Sequence, residues 1–185
     1  MSCLLPALTL LVAIGTLLVA FFIPRKIMVN QLYADLVKEY RSPEMGGAIL
    51  ALFDFFVNEC NGDIDAIYDK YKDKYENQIG KYLSSKKEDA IDFSKTLHFQ
   101  RRLVAHFYYN MALLRYERSF PKLPTEYMKI WFTPNENKLL SIILHMAEPA
   151  SEVLIKAENI PEPPQDEVHM NQLLYKLYED VEDMK

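Results

Sequence analysis

Cysteine, histidine and glycine are scarce in this sequence of 185 residues. Only two cysteines are present, Cys3 and Cys60, which excludes a framework of several disulfide bonds. The four histidines are scattered and no cysteine pair accompanies them, so a structural zinc site of the usual spacing is also excluded. Five glycines against ten prolines, with periodic apolar stretches between them, favour helices. We expect no metal and no cofactor.

Charge is absent from the first 24 residues, and residues 4–23 are dominated by leucine, valine, isoleucine and phenylalanine. A helix of about 20 apolar residues crosses a hydrocarbon core about 30 Å thick. Residues 1–24 are therefore predicted to form a transmembrane anchor that contacts the lipid bilayer through residues 4–23. A cleaved secretory signal is the alternative, but it requires a basic n-region, a shorter apolar stretch and a small-x-small cleavage site.

Basic residues come directly after this segment. Arg25 and Lys26 follow it at once, and no basic side chain precedes it. The positive-inside rule then predicts a single-pass protein of the cell membrane, with its N-terminus outside and its C-terminal domain in the cytoplasm. That domain carries the whole formal charge of −5, and this acidic balance argues against nucleic acid as a partner.

Hydrophobic periodicity divides the rest of the chain. Residues 25–41 are predicted to be a juxtamembrane amphipathic helix, 42–158 a helical bundle, 159–165 a proline-rich connector and 166–185 an acidic amphipathic helix. No strand-like alternation and no internal repeat is found. The predicted fold is all-α, with one N-terminal transmembrane helix followed by a cytoplasmic bundle of five or six helices.

Capping signals predict where several helices begin. The Ser-Pro-Glu sequence at 42–44 predicts a helix over 43–59, with serine as N-cap and proline in the first turn. Residues 85–88 form a capping box ahead of a long helix that reaches about residue 117. A second box, Thr-Pro-Asn-Glu at 133–136, opens a helix that Pro149 kinks or ends.

Two side-chain patterns predict buried positions. Tyr68, Tyr71, Tyr75 and Tyr82 recur at helical spacing and are interpreted as the packing face of an amphipathic helix rather than a ligand cage. Asp54 interrupts an apolar segment, so it is expected to be partly buried, and a salt bridge or a cap across the bundle is preferred to a general base.

Arg101 and His106 form an R-x4-H motif that resembles the catalytic motif of HEPN-type ribonucleases, which are dimeric helical bundles. The resemblance implies that His106 and Arg101 would act on the 2′-hydroxyl and the scissile phosphate of RNA. The alternative is that Arg101 is a solvated helix residue paired with an acid and His106 a polar residue at the edge of the core. No catalytic residue is assigned, and a non-enzymatic role is preferred.

Two segments resemble a prokaryotic family of single-span membrane proteins whose helical cytoplasmic domain has no known function. They are YRSPEMGGAILALFDFF over 40–56 and DFSKTLHFQRRLVAHFYYNMALL over 92–114. The resemblance implies the same layout, a single N-terminal span and a helical domain, and it brings no established activity.

The sequence offers an anchor and amphipathic surfaces but no convergent chemical groups. It therefore predicts a membrane-tethered interaction or scaffold module with a protein partner or a second copy of itself, and no small-molecule ligand. One alternative is an accessory subunit of a larger membrane complex, in which Gly15 and Thr16 would let the span pack against another helix. The other is a membrane-anchored HEPN-like ribonuclease.

Overall fold

The computed structural model describes residues 27–84, 95–117, 122–159 and 161–183, together with Thr16 and Ile23. Within these ranges all regular secondary structure is helical, which confirms the all-α prediction. The helices are α1 (27–40), α2 (Pro43–Asp54), α3 (Ile67–Ser84), α4 (Leu97–Tyr116), α5 (Thr125–Trp131), α6 (Pro134–His145), α7 (Ala147–Glu158) and α8 (Gln165–Asp183).

The anchor predicted over residues 1–24 lies outside the described residues, apart from Thr16 and Ile23. Among the helices of the described ranges, none combines the length and the apolar character that crossing a membrane requires. The transmembrane anchor and its orientation stay predictions.

Two of the predicted helix starts are confirmed. The Ser42 hydroxyl accepts a hydrogen bond from the Met45 amide at 3.2 Å, and proline occupies the first turn of α2. The Thr133 hydroxyl accepts from the Glu136 amide at 3.4 Å at the start of α6. Each cap satisfies one of the amides that a helix leaves unpaired at its N-terminus.

The helix predicted over 43–59 changes form near its end. α2 is regular to Asp54, and a single π-helical turn covers Phe55–Glu59. The chain then leaves through Asn61 and Gly62, whose φ angles of 55° and 72° are left-handed. Glycine adopts that conformation without the steric cost of a Cβ atom, which explains its place in this turn.

Two other boundaries differ from the predictions. α4 begins at Leu97, because Thr96 is extended with ψ 148° and caps the Phe99 amide at 3.2 Å; residues 85–88, the predicted start, lie outside the described ranges. The break predicted at Pro149 falls at Met146, between α6 and α7. Pro149 lies in the first turn of α7, where a missing amide hydrogen costs no helical bond.

α4 is the central helix of the bundle. It packs against α2, α6 and α8, while α3 packs against α7 and α8 also contacts α6. Its buried side chains are Leu97, His98, Arg101, Val104, Ala105, Phe107, Tyr108, Met111, Ala112 and Leu114. This helix therefore contributes apolar side chains to the core and also two buried polar side chains, His98 and Arg101.

Candidate functional site

A buried polar cluster lies where α3, α4 and α8 meet. It consists of Tyr71, Tyr75, His98, Arg101 and Glu167, all of which are buried. The two tyrosines stand four residues apart on α3, and the histidine and arginine stand three apart on α4, so each pair shares one helix face. Glu167 comes from the first turn of α8. The helical spacing therefore brings these side chains together.

His98 is held between the two tyrosines. Its Nδ1 lies 2.9 Å from the Tyr71 hydroxyl oxygen, and its Nε2 lies 3.2 Å from that of Tyr75. The imidazole ring also stacks on the Tyr75 ring, with centroids 3.9 Å apart. A neutral imidazole donates from one nitrogen and accepts at the other, which suits two hydroxyl partners. The site favours the neutral form.

The pKa values of the cluster also favour the neutral form of His98 and of both tyrosines. Burial, followed by the positive charges of Arg101 and Arg102, lowers the pKa of His98 from 6.5 to about 2. Burial raises the pKa of Tyr71 to about 12, although Arg101 acts to lower it. Burial also raises the pKa of Tyr75. All three side chains are therefore uncharged at neutral pH, and Arg101 and Glu167 carry the charges of the cluster.

Arg101 is fully enclosed and is paired with one carboxylate. Its Nη2 lies 3.3 Å from Glu167 Oε1, and both side chains are shielded from solvent. Its Nε and Nη1 have no hydrogen-bond partner within the described part of the chain. A buried arginine of this kind depends on its counter-charge, because removing the carboxylate would leave the guanidinium unpaired in a medium of low polarity.

The two residues of the R-x4-H motif lie in different surroundings. Arg101 is buried in the cluster, whereas His106 is exposed and its ring tilts against that of Tyr109, with centroids 5.9 Å apart. Five residues along a helix rotate the side chain by roughly 140°, which explains the separation. Within one chain the structure brings Arg101 together with His98, not with His106.

Sequence reasoning missed the acids of the interior. Asp54, expected to be partly buried, is exposed and accepts a hydrogen bond from the Asn58 side-chain amide at 2.6 Å, so that expectation is wrong. The buried acid is Glu167, which belongs to the helix predicted to be a solvated acidic face. The tyrosine prediction is confirmed at Tyr71 and Tyr75, which are fully buried.

A second set of polar contacts, made by Glu136 with Tyr40 and Tyr108, holds α1 against the bundle. The Tyr108 hydroxyl donates to Glu136 Oε2 at 2.6 Å, and the Tyr40 hydroxyl donates to Oε1 of the same carboxylate. Burial raises the pKa of both tyrosines, and Glu136 raises it further. The carboxylate predicted to complete the capping box at 133–136 thus accepts hydrogen bonds from tyrosines on α1 and α4.

Apart from these two polar clusters, the structure has an open apolar surface, here called the α2 groove. Its first part, about 560 Å³, is lined by Leu50, Ala51, Phe53, Asp54 and Val57. Leu50 is 71% exposed and Val57 is 56% exposed. These residues lie on α2 and on the π-helical turn that follows it.

The α2 groove continues along the seam between α2 and α4. A second part of about 410 Å³ shares Ala51 and adds Gly47, Phe99 and Leu103 to the apolar lining. A Cβ atom at Gly47 would meet no heavy atom within 4 Å, so the floor is open there. The two parts meet at Ala51, and Glu44, Lys95 and Gln100 also line the second part.

No protein-family model, curated protein or solved structure matches the chain. Within the described residues no group of three or more histidine, cysteine, aspartate or glutamate side chains is placed to hold a metal ion. The resemblance to the single-span family stays a prediction. The features that bear on function are the closed polar cluster and the open α2 groove.

Proposed function

We propose that this protein is a membrane-tethered interaction module whose α2 groove binds an amphipathic helix of a partner protein. The N-terminal sequence supports the tether, because residues 4–23 are uncharged and long enough to span a bilayer. Arg25 and Lys26 support an orientation with the helical domain on the cytoplasmic side. The α2 groove supports the interaction.

The observation that carries the proposal is the row of exposed apolar side chains in the α2 groove. Leu50 on α2 and Val57 in the π-helical turn both line the first part of the groove, so they lie on one side of the segment. Isolated exposed hydrophobic residues are ordinary, but Leu50 and Val57 adjoin Phe53 on one open surface, and this clustering supports a binding face. This row suits the helix-in-groove mode, in which a partner helix lays its apolar face along it.

The charge beside the groove specifies the partner further. Asp54 lines the first part of the groove and is exposed, and the Asn58 side-chain amide donates a hydrogen bond to its carboxylate. Glu44 and Lys95 line the second part, so the charges of the groove sum to one negative charge. A partner helix with a lysine or arginine flanking its apolar face would place an opposite charge there.

The polar groups of the interior support a structural role over a catalytic one. The charge of Arg101 is matched by Glu167 inside the bundle, and His98 is neutral between two tyrosine hydroxyls. The ribonuclease hypothesis requires Arg101 and His106 to face one polar cleft, and in the monomer only His106 reaches solvent. We therefore propose the interaction module in its place.

Site-specific cross-linking in native membranes tests the proposal. A photoreactive residue at Val57, in the groove, is compared with one at Tyr175, which is half-exposed on α8. The expected product at position 57 is a cross-link to one protein, within a segment that has an apolar helical face and a basic flank. Position 175 is expected to give no such product.

A matched pair of variants completes the test. Leu50→Lys and Tyr175→Lys each add one positive charge at an exposed site, and each new lysine has an acid four residues later, Asp54 or Glu179. Leu50→Lys is expected to abolish the cross-link and Tyr175→Lys to keep it. A cross-link that survives Leu50→Lys, or one to α2 of a second copy, would overturn the proposed partner. A membrane-embedded partner would identify the protein as an accessory subunit.

A further inference from the structure

Exposed hydrophobic side chains also gather at the start of α1 and on α5. Ile27 and Met28 are about half exposed at the start of α1, as is Ile23 just before it. Ile130 on α5 is 71% exposed, as much as any large hydrophobic side chain in the described residues. The α2 groove uses none of them.

α5 is fixed beside α1 by aromatic contacts. The Tyr127 hydroxyl donates to Asn30 Oδ1 at 3.1 Å, and the rings of Tyr33 and Tyr127 stack with centroids 4.5 Å apart. Further along both helices, the Trp131 ring meets the Tyr40 ring edge-on at 5.0 Å. The two helices therefore run in the same direction, and the start of α5 lies beside the start of α1.

This arrangement places α5 close to the predicted membrane surface. Asn30 comes six residues after Pro24, which is about 9 Å along a helix. The headgroup region extends about 5–8 Å beyond the hydrocarbon on each side of a bilayer. Tyr33 is about 14 Å along the same line, beyond the headgroup region, so Tyr33 and Tyr127 reach the depth at which tyrosine collects only if α1 and α5 lie along the bilayer.

We propose that α5 is a second membrane contact, with Ile130 inserted into the lipid surface. The inference rests on the proposed anchor, and it requires α1 and α5 to lie along the bilayer. The proline at position 24 favours such a bend, because it removes one helical hydrogen bond. With α1 upright, Ile130 would stand about 14 Å from the hydrocarbon, out of reach of the acyl chains.

The charges on this side match an anionic lipid surface. The exposed charged residues of α5 and the chain leading into it are Lys122, Lys129 and Glu126, which leave one net positive charge. Those of α1 are Asp35, Lys38 and Glu39, which leave one net negative charge, so the two helices balance. In the sequence, Arg25 and Lys26 add two positive charges beside the predicted span, so the side as a whole is positive. Basic residues near an anionic leaflet contribute about 1 kcal/mol each to membrane binding. The lipid surface, rather than an acidic-flanked apolar helix, is therefore the occupant that we assign to α5.

The single tryptophan of the chain, Trp131, reports the contact directly because it is next to Ile130. The full-length protein is reconstituted into vesicles of phosphatidylcholine and phosphatidylglycerol, with ordinary or brominated acyl chains. Bromine quenches tryptophan emission at short range, so the loss of Trp131 emission in brominated vesicles measures proximity to the chains. The variants are Ile130→Glu and, as the matched control, Tyr175→Glu on α8; circular dichroism checks that both keep the helical content.

Quenching in the wild type and in Tyr175→Glu, with loss of most of it in Ile130→Glu, is the expected result. If the protein stays in the vesicles after an alkaline wash but Trp131 is not quenched in any form, the anchor stands and the α5 contact is overturned. If the alkaline wash removes the wild type, the anchor itself fails, and the inference fails with it. Quenching that Ile130→Glu leaves unchanged would also overturn the role of Ile130.

Discussion

Acidification is expected to destabilise the folded chain through His98. The imidazole is buried and neutral in the folded protein, while in the unfolded chain it takes up a proton at the ordinary pKa of 6.5. Below that pH the unfolded state binds one more proton than the folded state, so the free energy of unfolding falls as the pH falls. The charged and titratable groups around the ring are Tyr71, Tyr75, Arg101, Arg102 and Glu167.

The magnitude follows from the two pKa values of His98. Between the unfolded value of 6.5 and the folded value of about 2, each pH unit removes about 1.4 kcal/mol. At about pH 4.5 the loss through this one residue is about 2.7 kcal/mol, which is a large part of the stability of a small domain. At neutral pH both states are unprotonated, and the histidine contributes no pH dependence.

The assay is urea denaturation of the full-length protein in a non-ionic detergent at neutral pH and at about pH 4.5, followed by Trp131 fluorescence. His98→Gln removes the titration, and its amide keeps one acceptor and one donor for the two tyrosine hydroxyls. Carboxylates such as Glu152, whose pKa is lowered by Lys72 and then by Tyr68, also lower the free energy of unfolding of the protein when acid protonates them. Their contribution is common to both proteins and cancels in the comparison.

The expected result is that His98→Gln loses about 2.7 kcal/mol less than the wild type between the two pH values. His106→Gln is the control, because that side chain is exposed in the folded protein as it is in the unfolded chain. It is expected to lose as much as the wild type. Equal losses in the wild type and in His98→Gln would refute the reasoning, since His98 would then titrate alike in both states.

Further substitutions test the buried ion pair, the tyrosine–carboxylate contacts and two glycine positions. Glu167→Gln removes the counter-charge of buried Arg101, and urea denaturation should show a loss of about 3–5 kcal/mol, whereas adding Arg101→Met should recover most of it. Glu136→Gln weakens two tyrosine hydrogen bonds to a charged acceptor and should cost about 2–3 kcal/mol, with α1 becoming the first site of limited proteolysis. Gly62 has a φ angle of 72°, which an alanine adopts only with strain, so Gly62→Ala should destabilise the fold by about 1 kcal/mol. Gly46 lies inside α2, where a Cβ atom would meet nothing within 4 Å, so Gly46→Ala should stabilise the fold by up to about 1 kcal/mol. Thermal denaturation should show the opposite signs of the two changes.

Local signals in the sequence predicted much of the fold because they act within a few residues. The caps at Ser42 and Thr133 each bond an amide three residues away, and the buried tyrosines of α3 follow the helical period. The polar interior depends instead on partners distant in sequence. Glu167 meets a residue 66 positions away, and Glu136 meets Tyr40 96 positions away. No local pattern marks such partners, which is why Asp54 was expected inside and Glu167 outside.

α4 connects the two features that bear on function. His98 and Phe99 are consecutive, and because neighbouring residues on a helix point in different directions, one enters the buried cluster while the other borders the α2 groove. A partner bound in the groove binds the folded state and not the unfolded chain, so it raises the free energy of unfolding by RT ln(1 + c/Kd), where c is the concentration of free partner. Acid lowers the free energy of unfolding through His98, which lies on the same helix. The partner should therefore shift the acid transition of the protein to lower pH, and Leu50→Lys should remove that shift. The acid transition of the free protein, to which His98 and carboxylates such as Glu152 contribute, should stay where it was.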